Sequence, residues 1–341
     1  MPVRRPTLEA VAAHAGVSRA TVSRVVNGTA GVRDEVAARV RAAVDELGYV
    51  PNQAARTLVT RRHDAVAVVV AEPETRVFTD PFFAKQLRGI GKELSAHDAQ
   101  LVLLLVEDTG DYERVGRYLA GGHVDGALVF SLHNDDPLPG ITRRLGVPTV
   151  FGGRPGWAGA EGDRAVRYVD CDNRGGAREA VRHLVELGRR RIAHICGPMD
   201  QTASLDRLAG YRDVLFDAPP ALIEEGGFSA AGGERAMARL LEREPALDAV
   251  FAASDLMASG ALRALRAAGR RVPQDVAVVG FDDMREVAES CEPPLTTVRQ
   301  DIEEMGRLMV RLLLDRPRGS AGVPGAVSVV TRTRLVRRES A

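Results

Sequence analysis

The sequence predicts an all-α helix-turn-helix head followed by an α/β body with two doubly wound parallel-sheet lobes. Two short amphipathic segments flank a glycine near the N-terminus, and from about residue 63 apolar β-branched runs alternate with helical stretches. Such alternation is typical of parallel sheets that carry helices on both faces. With 341 residues, of which 45% are hydrophobic and 27% charged, the chain has a globular composition.

Charge separates the two regions. The chain has 46 basic and 46 acidic residues, yet residues 1–62 contain ten arginines and only five acidic groups. The remaining 279 residues contain 36 basic and 41 acidic groups. A basic head on a mildly acidic body favours a polyanion-binding module joined to a second function, while chance clustering is the alternative.

Three helices are predicted in the head. Thr7 is a candidate N-cap for a helix that runs through about His14, Gly16 supplies a turn, and Ser18 caps a second helix that ends near Val26. A third helix covers about 34–47. Two short helices joined by a glycine turn are typical of a helix-turn-helix.

The second helix is predicted to be amphipathic, with Val22, Val25 and Val26 facing inward. The outward residues are small or able to form hydrogen bonds: Ser18, Arg19, Ala20, Thr21, Ser23 and Arg24. Such a face fits a DNA major groove, which is about 12 Å wide. A purely structural helical bundle is the alternative.

Residues 51–62 form a candidate hinge. Pro51 and Asn52 favour a helix start, but the ten residues from Pro51 to Thr60 are too few for a stable isolated helix. A plain linker and a helix that forms only on DNA both fit this segment.

The body contains two sets of predicted strands and helices. The strands are 65–71, 101–106, 127–130 and 149–151, then 191–196, 249–253 and 276–281. The helices are 81–97, 111–121, 137–145, 173–187, 204–216, 230–243 and 255–269. We therefore predict a head at 1–50, a hinge at 51–62 and a body at 63–341, with lobe 1 at about 63–160 and 299–322 and lobe 2 at about 163–296 and 325–341.

Several motifs resemble one known family. The segment GVSRATVSRVVNG (16–28) and its continuation VRDEVAARVRAAVDELGYVPNQAARTL (32–58) are similar to the DNA-binding segment of the lac-repressor (LacI/GalR) family. In the body, DPFFAKQLRGI (80–90), VDCDNRGGAREAVRHLVELG (169–188) and PPLTTVRQD (293–301) resemble the periplasmic-binding-protein-like effector domain of that family. The resemblance covers nearly the whole chain.

The resemblance implies roles for individual head residues. Arg19, Ala20 and Arg24 occupy base-reading positions, and arginine is the usual bidentate reader of guanine. The residues expected to contact the DNA backbone are Ser18, Thr21, Ser23 and Asn27. The hinge residues expected at the minor groove are Leu58, which matches a leucine that wedges between bases, with Arg56 and Ala55.

A ligand site is expected between the lobes, because ligands bind beyond the carboxyl ends of parallel strands. Asp282 and Asp255 each follow a predicted strand, and Asp80 follows the loop after the first. Asp255 could instead be a helix N-cap, Asp282 a turn residue, and the aromatic residues ordinary core. With the resemblance, the expected effector contacts are Asp80, Phe82, Phe83, Arg154, Arg207, Phe228, Asp255 and Asp282.

Other functions find less support. The sequence has no H-E-x-x-H, G-x-S-x-G, Walker A or G-x-G-x-x-G motif, and its three cysteines form no metal or disulfide pattern, so no cofactor or metal is expected. No apolar run of membrane-spanning length and no signal peptide is recognised, which favours a cytoplasmic protein. A solute-binding protein or an enzyme built on the same body is the alternative.

The sequence therefore predicts a homodimeric transcription regulator, with repression favoured, that binds a palindromic operator and responds to a sugar-like effector. The identity of the effector, the operator sequence, the direction of the response and the choice between dimer and tetramer are not predicted.

Overall fold

A computed structural model describes residues 6–26, 31–50, 63–157, 166–314 and 328–341. It divides into a unit at 1–63 and a unit at 64–341. None of the described helices is long and apolar enough to cross a membrane.

The head is a three-helix unit, as predicted. Its helices are α1 (Leu8–Ala15), α2 (Arg19–Val26) and α3 (Asp34–Leu47). The Thr7 side chain accepts a hydrogen bond from the Ala10 amide, and Gly16 adopts φ 64°, a left-handed conformation that glycine takes without steric cost. The buried core of the head consists of Val11, Ala12, Ala15, Val22, Val40, Ala43 and Tyr49.

The body contains two six-stranded sheets. Strands of lobe 1 are β1 (Ala65–Val70), β2 (Gln100–Leu105), β3 (Gly126–Phe130), β4 (Thr149–Gly152), β5 (Tyr168–Cys171) and β11 (Val329–Thr331), in the order β11-β5-β4-β3-β1-β2. Strands of lobe 2 are β6 (Ile192–Cys196), β7 (Ile223–Glu225), β8 (Ala249–Ala252), β9 (Ala277–Asp282), β10 (Thr296–Arg299) and β12 (Arg334–Val336), in the order β12-β10-β9-β8-β6-β7. All neighbouring strands are parallel except β10 and β12.

Helices cover both sheets. Early in the chain they are α4 (Glu74–Thr79), α5 (Pro81–Ala96), α6 (Thr109–Ala120) and α7 (Leu138–Arg144). Later they are α8 (Asn173–Glu186), α9 (Thr202–Val214), α10 (Ala230–Arg243), α11 (Asp255–Ala267), α12 (Arg285–Ala288) and α13 (Ile302–Leu314), with a 3-10 turn at Pro220–Leu222. Helix α13 packs closely on α5: a Cβ added at Gly89 would lie 2.0 Å from the Glu303 carbonyl oxygen.

The predicted boundary between the lobes was misplaced. Strand β5 pairs with β4 in the first sheet, so lobe 1 continues through Cys171 rather than ending near residue 160. Strand β11 pairs with β5 and also belongs to lobe 1, whereas 325–341 had been assigned to lobe 2 as a whole. The chain therefore crosses between lobes after β5, after β10 and between β11 and β12.

Candidate functional site

The exposed face of α2 has the predicted composition. Val22 is buried, while Arg19, Ala20 and Arg24 are exposed. The Ser18 hydroxyl caps this helix by accepting a hydrogen bond from the Thr21 amide at 3.2 Å. Small neighbours therefore leave the two arginines free to project from the head.

The Arg19 side chain has one ionic partner among the described residues. Its Nε lies 3.2 Å from Glu9 Oε1, and both side chains are largely exposed. An exposed pair of this kind contributes little free energy, so another anion can replace Glu9. The predicted contacts Asn27, Ala55, Arg56 and Leu58 lie outside the described residues.

The body contains a cavity of about 890 Å³, including its open mouth, at the carboxyl ends of both sheets. Its walls combine residues that follow β3 and β4 of lobe 1 with residues at the ends of β8 and β9 of lobe 2. Seven of the eight residues predicted for the effector site line it: Asp80, Phe82, Phe83, Arg154, Arg207, Phe228 and Asp282.

Asp255 does not line this cavity, and its predicted role as an effector contact was wrong. The carboxylate is fully buried, accepting hydrogen bonds from the Thr297 hydroxyl at 2.5 Å and from the Met284 amide at 2.7 Å. It is not the helix N-cap either, because Ser254 caps α11. Asp255 instead fixes the backbone just after Asp282.

Asp282 is the central carboxylate of the cavity. It is 5% exposed and adopts φ 112°, a strained backbone conformation for a residue with a side chain. Its Oδ1 accepts a hydrogen bond from Gln300 Nε2 at 2.6 Å and lies 3.6 Å from Arg207 Nη1. Burial raises the pKa of Asp282, whereas the Arg207 guanidinium and the Gln300 amide oppose that rise.

Arg207 is held in one orientation. Its Nε donates a hydrogen bond to Asn173 Oδ1 at 2.9 Å, and its Nη1 donates one to the Ala253 carbonyl. The guanidinium also stacks on the Phe281 ring, 3.7 Å from the ring centroid. A planar donor fixed beside a buried carboxylate is well suited to orient ligand hydroxyl groups.

Arg154 is bound within the protein. Its Nη2 lies 2.7 Å from both carboxylate oxygens of Asp206, which belongs to α9 of lobe 2, while Arg154 itself follows β4 of lobe 1. A second ionic pair, Lys85 with Glu286 at 2.9 Å, joins α5 to α12. Arg154 therefore helps to close the cavity as well as lining it.

Most of the aromatic wall lies in lobe 1, and Phe228 of lobe 2 completes it. Phe82 and Phe83 meet edge to face with ring centroids 5.6 Å apart, and Phe83 stacks on Phe130 at 6.2 Å. Asp80 caps α5 by accepting a hydrogen bond from the Phe82 amide at 3.0 Å. Burial also raises the pKa of Asp80.

Arg76 and Gln300 are among the wall residues that were not predicted from the sequence. The Arg76 guanidinium lies between rings of both lobes, 5.8 Å from the Phe83 centroid and 5.5 Å from that of Phe228. Arg76 belongs to a short helix without a sequence signature. Gln300 lies within the PPLTTVRQD motif, directly after β10, so its position at a strand end could have indicated it.

Among the described residues, three arginines line the cavity, and each has a carboxylate partner. Arg76 binds Glu72 at 2.6 Å, Arg154 binds Asp206, and Arg207 lies beside Asp282. Among the described residues, no group of three or more His, Cys, Asp or Glu side chains could bind a metal ion. The wall therefore offers oriented hydrogen-bond partners and aromatic faces, with its positive charges already neutralised.

Comparison with known proteins agrees with this architecture. The model of the lacI family of bacterial regulatory proteins matches residues 7–52, and the model of the periplasmic binding protein-like domain matches residues 181–341. The chain is 53% identical over 341 residues to the HTH-type transcriptional regulator CelR of Thermobifida fusca, covering 99% of this chain and 98% of that protein. It is 35% identical to the ribose operon repressor of Escherichia coli K12, covering 91% and 92%.

Solved structures are similar over the same length. A CelR–cellobiose complex has a TM-score of 0.77 and 50% identity, covering 99% of this chain and all of that one. A lac repressor dimer bound to operator and an anti-inducer has a TM-score of 0.83 and 28% identity, covering 99% of each. Identity at this level over the full length leads to one conclusion: the chain belongs to the lacI family of bacterial transcription regulators.

Proposed function

We propose that this protein is a repressor whose dimer binds a palindromic operator and whose effector is a neutral disaccharide of the cellobiose class. The observation that carries the choice of effector is the pairing of every arginine that lines the cavity with a carboxylate. A phosphorylated sugar needs an available cation, and the buried Asp80, Asp170 and Asp282 at the wall oppose an anion.

The polar and apolar surfaces of the cavity also suit a sugar. Asp282 accepts hydrogen bonds from hydroxyl groups, Arg207 donates them, and the faces of Phe82 and Phe228 pack against the apolar side of a pyranose ring. A volume of about 890 Å³ lies within the range of about 300–1,000 Å³ that small-ligand sites occupy. The bound cellobiose of the CelR structure supports a disaccharide.

The head supports binding to the major groove. Arg19 and Arg24 project from α2, and the exposed Ala20 beside Arg19 offers a methyl group suited to a thymine methyl. One such helix reads few base pairs, so two heads related by a two-fold axis fit a palindromic site. The lac repressor dimer on its operator supports this stoichiometry.

Calorimetric titration of the purified protein with cellobiose, glucose and glucose 6-phosphate tests the effector. We expect cellobiose to bind most tightly and the phosphate ester to bind at least about tenfold more weakly than glucose, because one unpaired buried charge costs more than 1.4 kcal/mol. Equal or tighter binding of the phosphate ester would contradict the proposal. Fluorescence anisotropy of labelled operator, with and without cellobiose, then gives the direction of the response.

A further inference from the structure

Glu72 is a buried carboxylate that lies behind the cavity wall. It follows β1, is 4% exposed and does not line the cavity. Its Oε1 receives hydrogen bonds from Arg76 Nη1 at 2.6 Å, from the Ser131 hydroxyl, and from Gln201 Nε2 at 3.2 Å. The first two donors belong to lobe 1, whereas Gln201 precedes α9 of lobe 2.

The contact between lobes extends beyond Glu72. His133 Nε2 lies 3.8 Å from Glu72 Oε1, and His133 Nδ1 lies 2.7 Å from Asp200 Oδ2 of lobe 2. The Asn134 amide donates a further hydrogen bond to the Asp200 carbonyl at 2.9 Å. We call Glu72, Ser131, His133, Asp200 and Gln201 the lobe-bridging cluster.

The same carboxylate fixes part of the ligand-facing wall. Arg76, bound to Glu72, is the guanidinium that lies between Phe83 of lobe 1 and Phe228 of lobe 2. Separation of the lobes would remove Gln201 from Glu72 and Phe228 from Arg76 together. A buried carboxylate that loses donors is destabilised, so the closed arrangement and the ordered wall support each other.

We propose that Glu72 is a positioning residue that couples closure of the lobes to the order of the ligand-facing Arg76. In this proposal the ligand leaves faster once the lobe-bridging cluster has separated, whereas its entry into the open form does not depend on that cluster. Weakening the hydrogen bonds of Glu72 therefore increases the rate of ligand release more than it decreases the rate of association. Only the choice of cellobiose as the probe rests on the proposed function.

Stopped-flow fluorescence of the full-length protein with cellobiose tests this coupling. Trp157 is the single tryptophan of the chain, packs edge-on against Phe151 at 5.8 Å, and follows Gly156, which approaches Asn134. Substitution Glu72→Gln keeps the shape and removes the charge. We expect release to become about tenfold faster or more, with association within about threefold of wild type.

Glu74→Gln is the matched control, because Glu74 is an exposed carboxylate of the same segment. It should leave both rates within about twofold of wild type. Asp200→Asn is a second variant at a half-exposed position, and it should accelerate release as well. In the double variant the two effects should be less than additive, because both act on one contact.

Hydrogen exchange at the Asn134 amide of the ligand-free protein is a second test, and it does not depend on the choice of sugar. We expect this amide to exchange faster in Glu72→Gln than in wild type or in Glu74→Gln. Unchanged release rates in folded Glu72→Gln and Asp200→Asn overturn the proposal, even if the melting temperature falls. If cellobiose does not bind wild type, the proposed sugar fails, and the exchange rates alone decide: unchanged exchange overturns the coupling and faster exchange supports it.

Discussion

Arginine is used in opposite ways in the head and in the cavity. On α2, Arg24 forms no ion pair with another described residue, and Arg19 has only an exposed partner. In the cavity, Arg207 is 5% exposed and is fixed by Asn173, Ala253 and Asp282. An arginine of α2 is therefore available to an anion from outside the protein, whereas the charge of Arg207 is already neutralised within the cavity.

The largest expected effect comes from removing the negative charge of Asp282 in the cavity. Asp282→Asn should weaken cellobiose binding by about 10- to 150-fold, because charge-assisted hydrogen bonds contribute about 1.5–3 kcal/mol. Calorimetry measures this loss, and operator affinity without cellobiose should be unchanged because Asp282 lies in the body. Unchanged cellobiose affinity in a folded variant would show that Asp282 only shapes the turn.

Removing an exposed arginine of α2 should have the next largest effect. Arg19→Ala should weaken operator binding by about 1–3 kcal/mol and relax specificity at one base pair. Anisotropy titrations against operator and against random DNA separate the two roles. Equal losses on both DNAs would assign Arg19 to the phosphate backbone. The exposed Arg41 of α3 is a control, and Arg41→Ala should not change base preference.

A smaller effect is expected in the pH dependence of the melting temperature. Glu72 and Asp200 raise the pKa of His133 to about 9, and Arg76 binds the same Glu72. Because the folded-state pKa is raised, the stabilisation is complete below about pH 6.5 and is lost as pH rises through 9. The melting temperature of wild type should therefore fall more steeply between pH 7 and pH 9.5 than that of His133→Gln. Parallel pH profiles would show that His133 is uncharged in this contact.

The smallest expected effect is an increase in operator affinity. Glu9→Gln removes the exposed partner of Arg19 and one negative charge next to the proposed DNA-binding face of α2. Operator affinity should rise by about threefold or less, and this gain should shrink at high salt. A decrease would mean that Glu9 orients Arg19 for base reading.

Helices and strands were largely predictable because their patterns are local. Apolar runs such as 65–71 gave strands at nearly the predicted bounds, and the caps at Thr7 and Ser18 followed from residue type. Strand β5 was missed since its four residues, YVDC, include a buried aspartate that interrupts the apolar run. The boundary between the lobes was predicted too early because β5, which belongs to lobe 1, was not recognised as a strand.

The site was harder to predict, because contacts distant in sequence determine it. The strand-end rule located Asp282 correctly at the cavity but also selected Asp255, whose carboxylate turns inward to Thr297. Arg154 was expected only to face the ligand, yet its guanidinium binds Asp206, 52 residues away along the chain. Sequence pattern identifies which strand ends meet, whereas partners from other segments decide where each side chain points.

The late strands β11 and β12 have a consequence for biosynthesis. Both sheets are completed by residues 329–336, and Ser340 bonds to the Val278 carbonyl and the Thr296 amide inside lobe 2. A growing chain thus cannot complete either sheet until residues 329–336 have left the ribosome. The head, whose helices all lie within the first 50 residues, can fold long before that. During synthesis the helices of the head can therefore form before the two sheets that build the cavity are complete.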